Sequence, residues 1–193
     1  MNKIEIDLST QNFKIFFTSD LHLGHENILK FCNRPFETTE KMFQTIVENW
    51  NKKISPNDMV FLVGDIFWKT SPNLITKFFL KTNGRKYFIS GNHDSVKSTK
   101  SISKYCTILD DVVHLWVTVN QTTFRFVVSH YPLYSYAGIE KHTSLNLHGH
   151  VHSGKLCTGF DSNFSSNKHY DVGVDNNNFE PVEITEIIKL KFL

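Results

Sequence analysis

Short apolar runs, each followed at once by small or polar residues, are the feature of this sequence that most restricts its fold. Three of them occupy residues 13–17, 59–63 and 86–90. Runs of four to eight apolar residues bounded by turn residues are typical of buried strands. Because helical patterns separate them, the sequence predicts an α/β fold in which strands and helices form packed layers.

The helical patterns between these runs have recognisable ends. Residues 26–31 predict a short helix, and a longer one is predicted to begin after Thr38 or Thr39. Its apolar residues fall on one stripe at helical spacing: Met42, Phe43, Ile46, Val47 and Trp50. Ser71 and Pro72 predict the N-cap and first position of another helix, which Asn83-Gly84 would end. Residues 95–103 predict a surface helix or loop.

The second half of the chain is richer in β-branched residues. Residues 112–119 and 123–129 predict a hairpin that turns at Asn120-Gln121. Further strands are predicted at residues 4–8, 145–147, 170–174 and, from a period-two pattern, 182–192. Residues 158–168 predict a polar loop, and residues 176–178 a turn. Neither a linker nor a repeat divides the chain, so a single domain over residues 1–193 is expected.

Composition excludes several classes of protein. With 40% hydrophobic residues and a net charge of +2, a mainly disordered chain is excluded and a basic nucleic-acid groove is not indicated. The cysteines Cys32, Cys106 and Cys157 show no C-x-x-C spacing, so neither a disulfide framework nor a thiolate zinc site is predicted. This use of cysteine fits a reducing cytosol best, so we expect a cytoplasmic protein. No apolar run approaches the ~20 residues of a membrane span, so a membrane-embedded protein is not expected.

Five polar clusters follow the predicted strands and contain most of the metal-binding side chains. They are Asp20-Leu21-His22, Gly64-Asp65, Gly91-Asn92-His93-Asp94, Ser129-His130 and Gly149-His150-Val151-His152. Each cluster alone is more often a turn or a hydrogen-bonded surface histidine. In an extended chain, residues i and i+2 point to the same side, so D-x-H and H-x-H would each present two ligands together. Their joint position at strand ends favours one ligand site at a sheet edge.

In this order the clusters resemble those of the calcineurin-like metallophosphoesterase superfamily. The segment Ser19-Asp20-Leu21-His22-Leu23-Gly24-His25-Glu26-Asn27-Ile28 is similar to the corresponding sequence in its small bacterial and phage branch. The resemblance implies a four-layer α/β/β/α sandwich with two mixed sheets. It also implies a dinuclear metal site at the C-terminal ends of the strands.

The same resemblance implies which residues hold the two metals. Asp20, His22, Asp65 and His152 would hold one ion, and Asp65, Asn92, His130 and His150 the other, with Asp65 bridging. Nitrogen and oxygen ligands of this kind suit transition metals better than Ca²⁺ or Mg²⁺. We expect Mn²⁺, and Fe, Zn²⁺, Co²⁺ or Ni²⁺ fit the same ligands.

Other residues near the clusters receive supporting roles. His93 is implied to protonate the leaving oxygen or stabilise charge there, the alternative being a structural histidine. Asp94 either orients its surroundings or caps the next helix, and His148 supports its loop. Candidates for substrate contact are His25, Asn27, Arg34, His142 and His148, although Arg34 fits a salt-bridged position equally well.

The predicted function is therefore that of a dinuclear-metal phosphoesterase. A hydroxide that bridges the metals would attack phosphorus in line with the leaving oxygen of a phosphodiester or nucleotide-type ester. Three alternatives stay open: a phosphomonoesterase or protein phosphatase, a nuclease, and a non-catalytic scaffold. The expected partner is a phosphate-ester substrate, with nucleic acid not indicated by charge and the oligomeric state open.

Overall fold

Two mixed β-sheets organise the residues described by the computed structural model, 2–152 and 167–193. One sheet has the order β1-β6-β7-β8-β9, formed by β1 (Asn2–Asp7), β6 (Val112–Val119), β7 (Thr122–Ser129), β8 (Ser144–His148) and β9 (His169–Asp171). Its one antiparallel pair among these strands is β6 with β7, whose turn residues Asn120 and Gln121 both have positive φ. Such a turn matches the twist of a hairpin, so the predicted hairpin is confirmed.

The other sheet contains the first apolar runs of the sequence. Its order is β10-β2-β3-β4-β5, formed by β2 (Ile15–Thr18), β3 (Met59–Val63), β4 (Arg85–Ile89), β5 (Thr107–Ile108) and β10 (Val182–Glu183). Strands β2 to β5 are parallel to one another, and β10 joins β2 antiparallel. Parallel pairing brings the C-terminal ends of β2, β3 and β4 to one edge.

Five helices accompany the sheets in the described part of the chain: α1 (Glu26–Phe31), α2 (Thr39–Lys53), α3 (Pro72–Lys81), α4 (Val96–Ile102) and α5 (Ile184–Phe192). The predicted caps are confirmed, since the hydroxyls of Thr38 and Ser71 accept from the backbone N–H of Lys41 and Leu74. A 3₁₀ turn, Leu8–Thr10, follows β1. No helix in the described ranges has the length and apolarity needed to cross a bilayer.

Alternation along β2 divides the apolar side chains between two cores. Phe16 packs with Trp50 and Phe78 in the core between the second sheet and helices α1 to α4. Phe17 points the other way, into the core between the sheets, where it meets Phe61 and residues of β6, β7 and β8. The layered α/β class with two mixed sheets is therefore confirmed.

The prediction of a C-terminal strand is wrong beyond Glu183. Residues 184–192 form α5, which buries Ile184, Ile187 and Ile188 at helical spacing and leaves Leu190 exposed. The period-two pattern leaves out Ile187. The apolar residues of this segment fit both the strand period and the helix period, so the sequence pattern alone did not distinguish the helix from a strand.

Two further differences concern short segments. The strand β5 was not predicted, and the strand predicted at 170–174 is β9, over His169–Asp171. Most of the predicted polar loop at 158–168, and Cys157, lie outside the described residues. Cys32 Sγ lies 3.4 Å from His152 Nδ1, and Cys106 Sγ donates to the carbonyl of Ile102.

Candidate metal centre

The polar clusters meet at the edge formed by the C-terminal ends of β2, β3, β4, β7 and β8. Backbone hydrogen bonds continue the pairing of β2 with β3 beyond both strands, from Asp20 N to Gly64 O (3.1 Å) and from His22 N to Asp65 O (3.0 Å). Gly149 N donates to His130 O across the other sheet (3.0 Å). These bonds hold the loops close enough for their side chains to converge.

One part of the centre, the buried half, consists of Asp20, His22 and His152. Each offers a ligand atom within 4.8 Å of the others, and all three side chains are buried. Within the described residues, Asp20 Oδ1 and both ring nitrogens of His22 lack a hydrogen-bond partner. Unpartnered buried polar atoms cost about 1–3 kcal/mol each, so this set fits a bound cation.

Asp65 lies between the buried half and the rest of the centre. Its Oδ2 is 3.6 Å from His22 Nε2 and 3.5 Å from His130 Nε2, and its Oδ1 accepts a hydrogen bond from His93 N at 2.9 Å. A carboxylate in contact with imidazoles on both sides is suited to bind two ions at once. The position of Asp65 therefore supports the bridging role predicted for it.

The second part, the open half, consists of Asn92, His130 and His150. Asn92 Oδ1 contacts His130 Nε2 at 2.9 Å and His150 Nδ1 at 3.0 Å, and the Asn92 side chain is exposed. His130 Nδ1 donates to the carbonyl of Val63 at 2.9 Å, which directs Nε2 towards Asn92 and Asp65. These three candidate ligands thus bond to one another.

Five candidate ligands occupy the left-handed region of backbone space. The φ values are 58° for Asp20, 49° for His22, 54° for Asp65, 72° for His150 and 46° for His152. The prediction that D-x-H and H-x-H point their ligands together through an extended chain is therefore wrong. The ligands converge through tight left-handed turns, a strain of about 1–3 kcal/mol per residue that persists where surrounding contacts impose it.

Two glycines allow the loops to approach one another. A Cβ atom on Gly149 would collide with Asp20 Oδ2 and the Ser19 hydroxyl, and one on Gly91 would collide with Asp65 Oδ1. Gly91 does not have the positive φ that would require glycine for its backbone angle. Its function is close approach to Asp65.

Burial controls the charges of the centre. It raises the pKa of Asp20 to about 6 and lowers the pKa of His22 to about 2, so His22 is neutral and available as a ligand. Burial alone would raise the pKa of Asp65, but the hydrogen bond and charge of His130 lower it to about 2. An ionised Asp65 beside a neutral His22 is the charge state that metal binding requires.

Comparison with known proteins agrees with this arrangement. The family model described as calcineurin-like phosphoesterase matches residues 13–186. The chain belongs to the calcineurin-like phosphoesterase family. Its members' chemistry makes this protein a metal-dependent phosphoesterase with a dinuclear divalent metal site, for which the His and Asp clusters above supply candidate ligands.

Individual relatives are similar over most of their length. An uncharacterized protein of Methanocaldococcus jannaschii is 31% identical over 183 residues, which cover 92% of this chain and 90% of the relative. The Gene 66 protein of Mycobacterium phage L5 is 26% identical, covering 83% and 86% of the two chains. A solved structure of a protein of unknown function from Aquifex aeolicus has a TM-score of 0.71 and 25% identity, covering 93% and 100%.

In this phosphoesterase the His93 side chain borders the centre without joining either half. Its Nε2 lies 3.8 Å from Asp65 Oδ2, and its ring is 37% exposed. The ring packs against Trp68 with centroids 4.3 Å apart, and Trp68 in turn stacks on His25 at 4.2 Å. Sequence reasoning missed Trp68, although an aromatic residue three positions after Asp65 was a signal for a site-lining side chain.

The phosphoesterase uses Arg34 differently from the predicted substrate contact. Arg34 is buried and binds both oxygens of Asp175, from Nε at 2.9 Å and from Nη2 at 2.7 Å. It also donates to the carbonyls of Asp20 and Leu21. The substrate role is wrong because every donor direction of the guanidinium faces protein, and the salt-bridged alternative is confirmed.

Asp175 is a second residue that sequence reasoning missed. Its Oδ2 accepts from His152 Nδ1 at 2.8 Å, which leaves His152 Nε2 facing Asp20 Oδ1 at 3.7 Å. Burial alone would raise the pKa of Asp175, but hydrogen bonds from His152 and Arg34 lower it to about 2. The segment 170–175 was predicted as an edge strand and turn, so it carried no signal for this role.

The residues with supporting roles contact the loops of the centre. Asp94 Oδ2 accepts from Asp65 N (2.7 Å) and Gly91 N (2.9 Å), whereas Ser95 caps α4. Of its two predicted roles, Asp94 therefore has the orienting one. His148 is buried and donates from Nδ1 to the carbonyl of Gly149 at 2.9 Å.

The remaining substrate candidates divide by position. His25 is partly buried beside the centre, with its ring 5.6 Å from that of His22. Asn27 is exposed and lines a groove between α1 and the start of α2, and His142 is exposed on the turn before β8. The structure thus brings His25, but neither Asn27 nor His142, to the predicted ligands.

Proposed function

We propose that this protein hydrolyses phosphodiester or nucleotide-type phosphate esters with two divalent ions, preferably Mn²⁺, in a domain that spans residues 1–193. The observation that supports the metal site most strongly is the set of unpartnered atoms on Asp20 and His22 beside Asp65. Buried polar atoms without hydrogen bonds cost free energy, and a bound cation would offset that cost.

Asp65 would be shared by two metal sites. Asp20, His22 and His152 would complete one site, and Asn92, His130 and His150 the other. When bound, the ions would supply a water of lowered pKa and neutralise charge on the phosphoryl oxygens. Four imidazoles and an amide carry no negative charge, so they limit the negative charge around an anionic substrate, which a site made only of carboxylates would repel.

His93 is the proposed acid for the leaving oxygen. Its backbone N–H donates to Asp65, and the contact with Trp68 restricts its ring, so Nε2 is held at the border between centre and solvent. A substrate bound to the centre would present its leaving oxygen to this nitrogen. General acids of this kind contribute about 10²–10⁴-fold to the rate.

The preference for a diester rests on the openness of this border. Asn92 and His93 are exposed in the part of the chain that the structure describes, so a second ester group can extend from phosphorus into solvent or an adjacent groove. A phosphomonoesterase would use the same centre. The ratio of rates on an aryl phosphate diester and the matching monoester separates the two.

The central test combines metal counting with turnover in protein prepared with Mn²⁺. We expect two Mn²⁺ per chain in wild type, loss of both metal and activity in Asp65→Asn, and retained metal with turnover lowered about 10²-fold or more in His93→Asn. His142→Asn, an exposed histidine outside the centre, is the matched control and should resemble wild type. Full activity in either Asp65→Asn or His93→Asn would contradict the mechanism.

A further inference from the structure

A groove begins at His93 and leads away from the metal centre. It is lined by Asn92 and His93, by Trp68 and Lys69 after β3, and by Lys97 and Ser98 of α4. Its volume is about 480 Å³. Ligand clefts in proteins typically measure about 300–1,000 Å³, so the groove is large enough for a small ligand.

The position of the groove relates it to one side of the substrate. His93 Nε2 is 3.8 Å from Asp65, and the His93 side chain forms the end of the groove nearest the centre. If His93 protonates the leaving oxygen, the group attached to that oxygen must extend past His93. The groove is therefore on the leaving-group side.

The two lysines give the groove a positive charge. Lys69 and Lys97 both line the groove and are exposed, and neither ammonium group pairs with a carboxylate within residues 2–152 and 167–193. Lys69 contacts the indole of Trp68 at 5.4 Å. Two cations that line one groove favour an anionic ligand, since their charges add in attracting a phosphate.

The surface between the lysines is largely apolar. Phe67, Pro72 and Ile75 line it together with the indole of Trp68, and the hydroxyl of Ser98 adds a polar group. An apolar surface with cations at its rim matches a ligand that combines a flat ring system with a phosphate. Nucleotides have this combination, whereas inorganic phosphate or a simple alkyl phosphate lacks the apolar part.

We propose that this leaving-group groove binds a nucleoside monophosphate as the leaving half of a phosphodiester, with Lys69 and Lys97 at its phosphate. The inference rests on the proposed hydrolysis. In the reaction, the oxygen of water bonds to phosphorus while the bond from phosphorus to the nucleotide oxygen breaks. That oxygen keeps the bonding electron pair and takes a proton from His93, and the proton released by water restores His93.

Kinetics of a double variant test the groove. Lys69→Ala/Lys97→Ala should raise KM about tenfold or more for a dinucleotide that bears a terminal phosphate, with kcat little changed. KM for bis(p-nitrophenyl) phosphate, whose leaving group has no phosphate, should stay at the wild-type value. Lys52→Ala/Lys189→Ala removes the same charge from exposed positions on α2 and α5 and should leave both substrates unaffected.

A binding experiment tests the groove independently of catalysis. AMP added to wild type should quench the fluorescence of Trp68, and Trp68→Phe should abolish this signal because Trp50 is buried elsewhere and Trp116 lies on β6 of the other sheet. The affinity for AMP should fall about tenfold or more in Lys69→Ala/Lys97→Ala but not in the control. Absence of AMP binding in wild type, or an equal rise of KM for both substrates in the lysine variant, would overturn the proposed role of the groove. Absence of hydrolysis with AMP binding intact would overturn the proposed function alone.

Discussion

In the buried half of the centre, Asp20 Oδ1 and the ring of His22 lack hydrogen-bond partners among the described residues, whereas in the open half Asn92 bonds to both His130 and His150. The two halves also differ in support. Arg34 and Asp175 hold the buried half from behind, while Asn92 of the open half is exposed.

This difference indicates that the two halves are prepared unequally for two ions. An ion in the buried half satisfies atoms that otherwise remain unpaired, so its binding relieves a cost already present in the fold. An ion in the open half must first replace the hydrogen bonds of Asn92. We therefore expect the buried half to bind Mn²⁺ more tightly and to contribute more to stability.

The largest effect is expected when the support of the buried half is broken. Arg34→Met leaves Asp175 buried without its cation, which typically costs about 3–5 kcal/mol of unfolding free energy. Urea denaturation in EDTA measures it. Lys14→Met removes an exposed partner of Glu183 and should cost at most about 1 kcal/mol. Equal losses in the two variants would show that Arg34 provides no special support.

The next effect concerns stabilisation by the metal. A ligand at 100 times its Kd stabilises the folded state by about 2.7 kcal/mol. His22→Ala should abolish most of the increase in melting temperature that Mn²⁺ produces in wild type, whereas His150→Ala should retain most of it. The opposite order would reverse the assignment of the tighter site.

A smaller effect is expected at the residue that orients His152. Asp175→Asn should weaken one Mn²⁺ site about 10–100-fold, as losses of residues that orient metal ligands typically do. The second site should keep its affinity. Isothermal titration calorimetry of the metal-free protein with Mn²⁺ measures the affinities of the two sites separately. Unchanged affinity at both sites would show that Asp175 does not contribute to metal binding.

The smallest effect is expected for Asp94. An amide oxygen in Asp94→Asn can still accept from Asp65 N and Gly91 N, so Mn²⁺ affinity at either site should change less than about threefold. The same titration measures it. A loss as large as that in Asp175→Asn would mean that the charge of Asp94, and not its hydrogen bonds, is what the centre uses.

Local patterns in the sequence predicted most of the fold and the residue types of the centre. The apolar run at 59–63 coincides with β3, and the run at 86–90 ends one residue after β4. The caps Thr38 and Ser71 begin helices as expected. These features depend on neighbouring residues, whose geometry is local. The polar clusters directly follow the strands in the sequence, so all seven predicted ligands could be assigned to strand ends at one sheet edge.

Tertiary structure decided what depends on residues far apart in the chain. Arg34 and Asp175 are separated by 141 positions, so neither the ion pair nor the orientation of His152 leaves a local pattern. The left-handed turns of Asp20 and His22 likewise arise from contacts between loops, and α5 replaced a strand because the core had space for a helix. The sequence by itself determined which ligands end the strands. Packing between distant segments determined their directions, their partners and the groove beside His93.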